Sequence, residues 1–262
     1  MSRFERLSYL ISSVFGYFIL TFVINGVIGG LLKNNQLDIL QFLNKIVFLL
    51  ICWFYIKYFH RKINLLSPGS YFKFRRIDIL TFIIGAIIPI TLTMLSIGVL
   101  CIIKIEIETI FLANKALLKE IVNGFITSLN EELLFRAFIF LSLVKIYGKV
   151  FLSALSTSVL FAVLHMGSIS HDFFFLSLLN VLIGGLLLSY LYYISGSIWI
   201  TIGFHTLNNF LARFIDFPQS SVMHTNELNL LIYTVLLFGL LVACMFFVKR
   251  KSDALPVSSE PK

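Results

Sequence analysis

Charge is what this 262-residue sequence has least of. Asp, Glu, Lys and Arg make up 13% of it, against 58% hydrophobic residues and a mean hydropathy of +0.94. So small a polar share excludes a soluble domain of this size. Cysteine is nearly missing too: Cys52, Cys101 and Cys244 stand singly in apolar runs. Three is an odd number for a disulfide framework, and no two have the spacing of metal ligands. No stretch alternates apolar and polar residues, which speaks against strands and a β-barrel; only helices satisfy their own backbone groups inside lipid. There is no internal repeat and no low-complexity tract. No small-x-small cleavage site follows the first apolar run, so that run reads as a retained helix rather than a signal peptide.

What is present is apolar sequence in span-length pieces. Continuous runs cover Leu7–Leu32, Phe42–Phe59, Ile79–Ile103, Val122–Val144, Val150–Met166, Phe173–Ile194, Ile198–Phe214 and Asn229–Val248. A bilayer needs about 20 such residues per helix, so the chain is expected to be an all-α, polytopic bundle of eight spans. The fifth and seventh are short enough for a tilted or re-entrant helix. One membrane domain covers 1–248, and the polar stretch 249–262 reads as a disordered tail. Lys104–Lys119 reads as an interfacial amphipathic helix. With an even number of spans, the side of the termini carries thirteen basic residues, among them Arg3, Arg6 and Lys249–Lys251, and the opposite side six. That bias places both termini in the cytoplasm of a cell membrane, expected to be bacterial. It also accounts for the net charge of +8 by facing anionic lipid, with no nucleic-acid partner.

Against this background, Ser128-Leu-Asn-Glu-Glu-Leu-Leu-Phe-Arg136 is anomalous. Of the acidic residues, only Glu131 and Glu132 fall in the middle of a span. Each mid-span charge costs roughly 2.5–3.5 kcal/mol on insertion scales, so with Arg136 the three cost on the order of 8–10 kcal/mol unless something compensates them. Glu132 and Arg136 are four residues apart and share a helix face, in the order that favours an ion pair. Glu131 points about 100° away and has no such partner on its own helix. Arg136 is therefore expected to neutralise Glu132 and leave Glu131 available.

Two neighbouring spans offer further polar groups. Phe161 and His165 share one face, and His205 shares another with Asn208 and Asn209, either of which is spaced to act with it. An apolar bundle hides polar groups best by pointing them at one another. A carboxylate and an imidazole can hold and deprotonate water, while a second imidazole and an amide donate to the oxyanion formed at a carbonyl carbon. There is no Ser–His–Asp logic and no His-Glu-x-x-His. Glu131, His165 and His205 are also a ligand set for Zn²⁺ or another divalent metal with an open position, and the metal-assisted and metal-free versions both stay open. Of the other polar residues, Asn123 and Asn180 are expected to hydrogen-bond across helices. His60, His171, Asp172 and His224 read as solvated loop residues.

Glu131-Glu132-x-x-x-Arg136, Phe161-x-x-x-His165 and His205-x-x-x-Asn209, in that order on three spans, resemble the signature of the CAAX protease and bacteriocin-processing (CPBP, or Abi) family of intramembrane proteases. The resemblance covers about Val122 to Phe210. It implies an endopeptidase acting on a membrane-anchored protein or peptide, type II CAAX prenyl endopeptidase-like. Glu131 and His165 would activate water, His205 and Asn209 would stabilise the oxyanion, and Glu132 and Arg136 would support them. Metal dependence, prenylation of the substrate, and a role in maturation, immunity or surface display stay open. Two readings from other classes compete: a non-catalytic membrane protein that confers bacteriocin immunity or organises a partner, and an ion-coupled transporter. The transporter reading calls for paired broken helices or inverted internal similarity, and the sequence has neither.

Overall fold

A computed structural model describes residues 2–32, 38–62, 76–103, 111–112, 117–169, 173–216 and 225–254. The chain is helical throughout these segments, with one exception. Helices α1 (Arg3–Leu32), α2 (Asp38–Lys62) and α3 (Arg76–Ile102) come first. A long rod follows, made of α4 (Leu117–Glu132), a π-helical segment (Leu133–Phe140) and α5 (Leu141–Tyr147). Then come α6 (Val150–His165), α7 (Phe174–Ser195), α8 (Ile198–Phe214) and α9 (Thr225–Ala254). Each of the eight expected apolar runs thus lies on one helical rod. Four stretches, Arg3–Ile24, Arg76–Ile102, Phe174–Ser195 and Asn226–Lys249, are long and apolar enough to cross a membrane by length and composition. The three helices that carry the candidate residues are shorter: α4 and α6 have 16 residues and α8 has 17.

The exception corrects one expectation. Phe111–Leu112 (β1) pairs antiparallel with Ile215–Asp216 (β2), and α4 starts only at Leu117. The described part of Lys104–Lys119 is therefore a strand and the start of a helix, not an interfacial helix. Backbone pairing with a segment a hundred residues away is a tertiary event that local amphipathicity does not register. At the other end α9 runs on to Ala254, past the apolar run. Residues 255–262 lie outside the described segments, as do His171, Asp172, His224 and the side chain of His60.

The core centres on the π-helical segment, all eight residues of which are buried. An element that is apolar on every side belongs in the middle of a bundle. Around it pack side chains from α1, α2, α6, α7 and α8, with Phe138, Phe140, Leu187 and Ile202 wholly enclosed. Two tight turns set neighbouring helices antiparallel. Gly148 (φ 68°) ends α5 and Gly196 (φ 64°) ends α7, each in the left-handed conformation that glycine enters at least cost.

The contact that positions α8 is its crossing with α3, the most extensive between two helices. A Cβ added at Gly85 would collide with the carbonyl of Ile200, and one at Gly203 with the carbonyl of Phe82. Two glycines facing the partner's backbone let the helices approach closely, the small-residue packing that membrane helices use in place of a hydrophobic drive. The start of α8 is pinned as well: Ser197 Oγ donates to Asp78 Oδ1 at 2.8 Å and accepts from the Trp199 amide. Asp78, which sequence places at an unremarkable span end, is buried.

Candidate active site

Glu131 and Glu132 are the last two residues of α4, and Arg136 lies four residues on in the π-helical segment. There the Leu141 amide reaches back five residues to the Arg136 carbonyl. Such widened turns recur where helices serve functional sites. Arg136 Nη1 stands 3.1 Å from Glu132 Oε1, and both side chains are essentially inaccessible. Arg136 Nη2 donates to the Gly185 carbonyl at 3.4 Å, and the guanidinium lies 4.7 Å from the ring centre of Phe161. A buried charge needs a partner and hydrogen bonds; this one has a carboxylate, a carbonyl and an aromatic face. The expected Glu132–Arg136 pair is present.

Tertiary structure adds a bond that spacing did not predict. His205 Nδ1 lies 2.8 Å from Glu132 Oε1, while its other nitrogen, Nε2, is 3.5 Å from Glu131 Oε2. One imidazole thus bridges the adjacent glutamates. His165 approaches from α6, with Nε2 at 3.8 Å from the same Glu131 oxygen and Nδ1 at 2.8 Å from the Phe161 carbonyl.

The partners decide where the protons sit. A carbonyl oxygen only accepts, so His165 Nδ1 carries hydrogen and donates. A carboxylate held by Arg136 also accepts, so His205 Nδ1–H donates to Glu132. Each histidine therefore turns Nε2 toward Glu131 Oε2, an oxygen that is buried and makes no hydrogen bond among the described residues. The three atoms converge at separations too long for direct hydrogen bonds. Water with two or more polar partners suits such a gap. As for a metal on Glu131, His165 and His205, no group of three or more His, Cys, Asp or Glu among the described residues is arranged to hold one.

Exposure separates the two carboxylates: Glu132 is at 0% and Glu131 at 26%, with His165 at 29%. Glu131 and His165 open into a cavity of about 320 Å³ walled by Tyr17, Phe18, Phe48 and Leu134. On the far side His165 and His205 line a smaller space of about 90 Å³, together with Asn180, Asn208 and Asn209. The structure thus brings His165 and His205 to Glu131, places Asn209 beside both histidines in the smaller space, and sets Glu132 and Arg136 behind His205. Of the two rival asparagines, Asn208 accepts a hydrogen bond from the Tyr233 hydroxyl at 2.6 Å. Asn123 and Asn180 do bond across helices, accepting from Lys45 and donating to Thr234.

Two contributors escaped the sequence reading. Gly185 supplies the carbonyl for Arg136 and packs directly on Ser158 of α6. Tyr233 comes from α9, far along the chain. A glycine or tyrosine in an apolar run carries no local sign of either role.

No curated protein matches the chain. Residues 113–211 match a family model, Rce1-like, described as type II CAAX prenyl endopeptidase Rce1-like, and this stretch contains every motif residue from Glu131 to Asn209. The similarity to Rce1-like type II CAAX prenyl endopeptidases thus covers the segment that carries the candidate site.

Proposed function

We propose that this protein is an intramembrane endopeptidase that hydrolyses a peptide bond of a membrane-anchored protein or peptide with a water held by Glu131 and His165. One observation carries the reading: Glu131 Oε2, buried and without a hydrogen bond among the described residues, lies between the Nε2 atoms of His165 and His205.

Water in that gap gives one proton to Glu131, and its oxygen attacks the carbonyl carbon. The carbonyl oxygen becomes an oxyanion beside α8, where the Asn209 amide and His205 Nε2–H donate to it. Collapse breaks the C–N bond, and Glu131 returns its proton to the leaving amine. A proton on His205 Nε2 makes two carboxylates, one guanidinium and one imidazolium neutral in sum, the charge state that a membrane interior tolerates best. Glu132 and Arg136 touch no reacting atom in this scheme; they hold His205.

The apolar cavity beside Glu131 supports a substrate with an apolar, membrane-embedded part. The basic bias of the sequence supports an integral protein of a bacterial cell membrane with both termini in the cytoplasm.

The test is cleavage of a panel of membrane-anchored fluorogenic peptides by protein reconstituted in liposomes, with and without a chelator. Glu131→Gln is expected to lower kcat by about 10²–10⁴-fold, the contribution of a general base, at an unchanged thermal midpoint. Full activity in Glu131→Gln would sink the mechanism, and loss with chelator in the wild type would assign the water to a metal. A wild type that cleaves nothing would favour the non-catalytic, partner-organising role.

A further inference from the structure

A second cavity of about 210 Å³ adjoins the site. Asn180 and Asn208 line it on one side and the histidine-lined space on the other. Leu211 and Ala212 of α8 add to it, and the rest of its wall comes from α3 and α9, including Thr93, Asn229 and Tyr233, which fall outside the family-matched residues 113–211. The cavity is thus built partly from the matched segment and partly from helices outside it.

Its chemistry is that of uncharged amides; among the described residues its lining includes no Asp, Glu, Lys, Arg or His. Three asparagines are each fixed by one end. The Tyr233 hydroxyl donates to Asn208 Oδ1 at 2.6 Å, Ser96 Oγ donates to Asn229 Oδ1 at 2.9 Å, and Asn180 Nδ2 donates to Thr234 Oγ1 at 2.8 Å. All three asparagines line the cavity, and the ends not used in these bonds are the NH₂ groups of Asn208 and Asn229, which are donors, and the carbonyl of Asn180, which is an acceptor. A free carboxylate would find no cation here. A purely aliphatic group would leave the amides unpaired, at a desolvation cost. A peptide unit supplies both a carbonyl to accept and an N–H to donate.

We propose that this amide-lined cavity is the subsite that holds a neutral, extended stretch of substrate main chain next to the scissile bond. The proposal rests on the endopeptidase reading. Its physical reason is that a peptide must leave its helix to be cut, and inside a membrane each freed N–H and C=O needs a protein partner because water is absent. The asparagines are those partners. The cavity is smaller than the roughly 300–1,000 Å³ of sites for drug-sized ligands, so it takes a short piece of chain.

The experiment is N-methyl scanning, one flanking amide at a time, of the fluorogenic peptide of the panel that binds Glu131→Gln protein in liposomes most tightly. Replacing the N–H that reaches Asn180 is expected to lower kcat/KM by about tenfold, the value of one hydrogen bond left unmade. Asn180→Ala is expected to lower the parent peptide to the same level and to leave the methylated one unchanged, so that the two losses do not add. Ala212→Phe fills the cavity without touching these bonds and is expected to weaken the parent likewise, at an unchanged thermal midpoint. Binding of both peptides to Glu131→Gln protein, read by fluorescence anisotropy, separates this proposal from the reading beneath it. Parent bound about tenfold more tightly than the methylated peptide, with no cleavage by the wild type, keeps the subsite and overturns the protease. Cleavage that ignores N-methylation at every position, Asn180→Ala and Ala212→Phe alike overturns the subsite and leaves the protease standing.

Discussion

Glu132 and Glu131 are adjacent in the chain, yet the first is inaccessible and the second partly exposed. On the Glu132 side Oε1 meets a guanidinium and an imidazole N–H, and a backbone carbonyl and an aromatic ring complete an inaccessible cluster, although Glu132 Oε2 makes no hydrogen bond among the described residues. On the Glu131 side an oxygen and two ring nitrogens face a gap that opens into cavities. The same residue type is locked by a short ion pair in one place and stands partly exposed beside two imidazoles in the other. What distinguishes them is which partners the fold brings within about 3 Å of each, the range of a hydrogen bond. A membrane interior allows an unsatisfied carboxylate only where the neighbouring charge is neutralised, so the closed side is the condition for the open one.

Breaking the closed side is expected to have the largest effect. Arg136→Met leaves Glu132 buried with an uncompensated charge and should cost about 3–5 kcal/mol, seen as a fall in the thermal midpoint in detergent. The double variant Glu132→Gln/Arg136→Met, with no charge left to bury, is expected to recover part of that stability but not activity, because His205 loses its anchor. Full recovery of activity would show that the closed side does not position His205.

Asn209→Ala sharpens the contrast from the open side. It is expected to lower kcat by about 10²–10³-fold, as loss of one oxyanion donor does, with the thermal midpoint unmoved. An equal loss in Asn208→Ala alone would move the role to Asn208.

Gly203→Ala touches both sides through α8 and has the smallest effect. The new methyl meets the Phe82 carbonyl on α3, and overpacking of this kind costs about 1–3 kcal/mol. Because α8 carries His205 and Asn209, activity is expected to fall as well; a variant that loses stability and keeps full activity would separate the α3–α8 crossing from the site.

Some of this was legible in the chain and some was not. The apolar runs, the Glu132–Arg136 pair and the three polar faces are local: they depend on residues within a turn or a span of one another, and helix geometry alone relates them. At Lys104–Lys119 the described residues depart from the expected interfacial helix for the opposite reason, since Phe111–Leu112 found its partner at Ile215–Asp216. Asp78 looked like a span end because nothing nearby reveals that Ser197 will bury it.

Sequence by itself determined that the chain is a helical membrane bundle, which carboxylate Arg136 neutralises, and which side chains are too polar to face lipid. Only tertiary structure decided that His205 joins the two glutamates, that Gly85 and Gly203 set the depth of α8, and that Tyr233 of α9 bonds Asn208. The physical reason is that hydrophobic continuity and helical phase are properties of neighbouring residues. Distances of 2.8 Å between residues 73 apart are properties of packing, which no single helix contains.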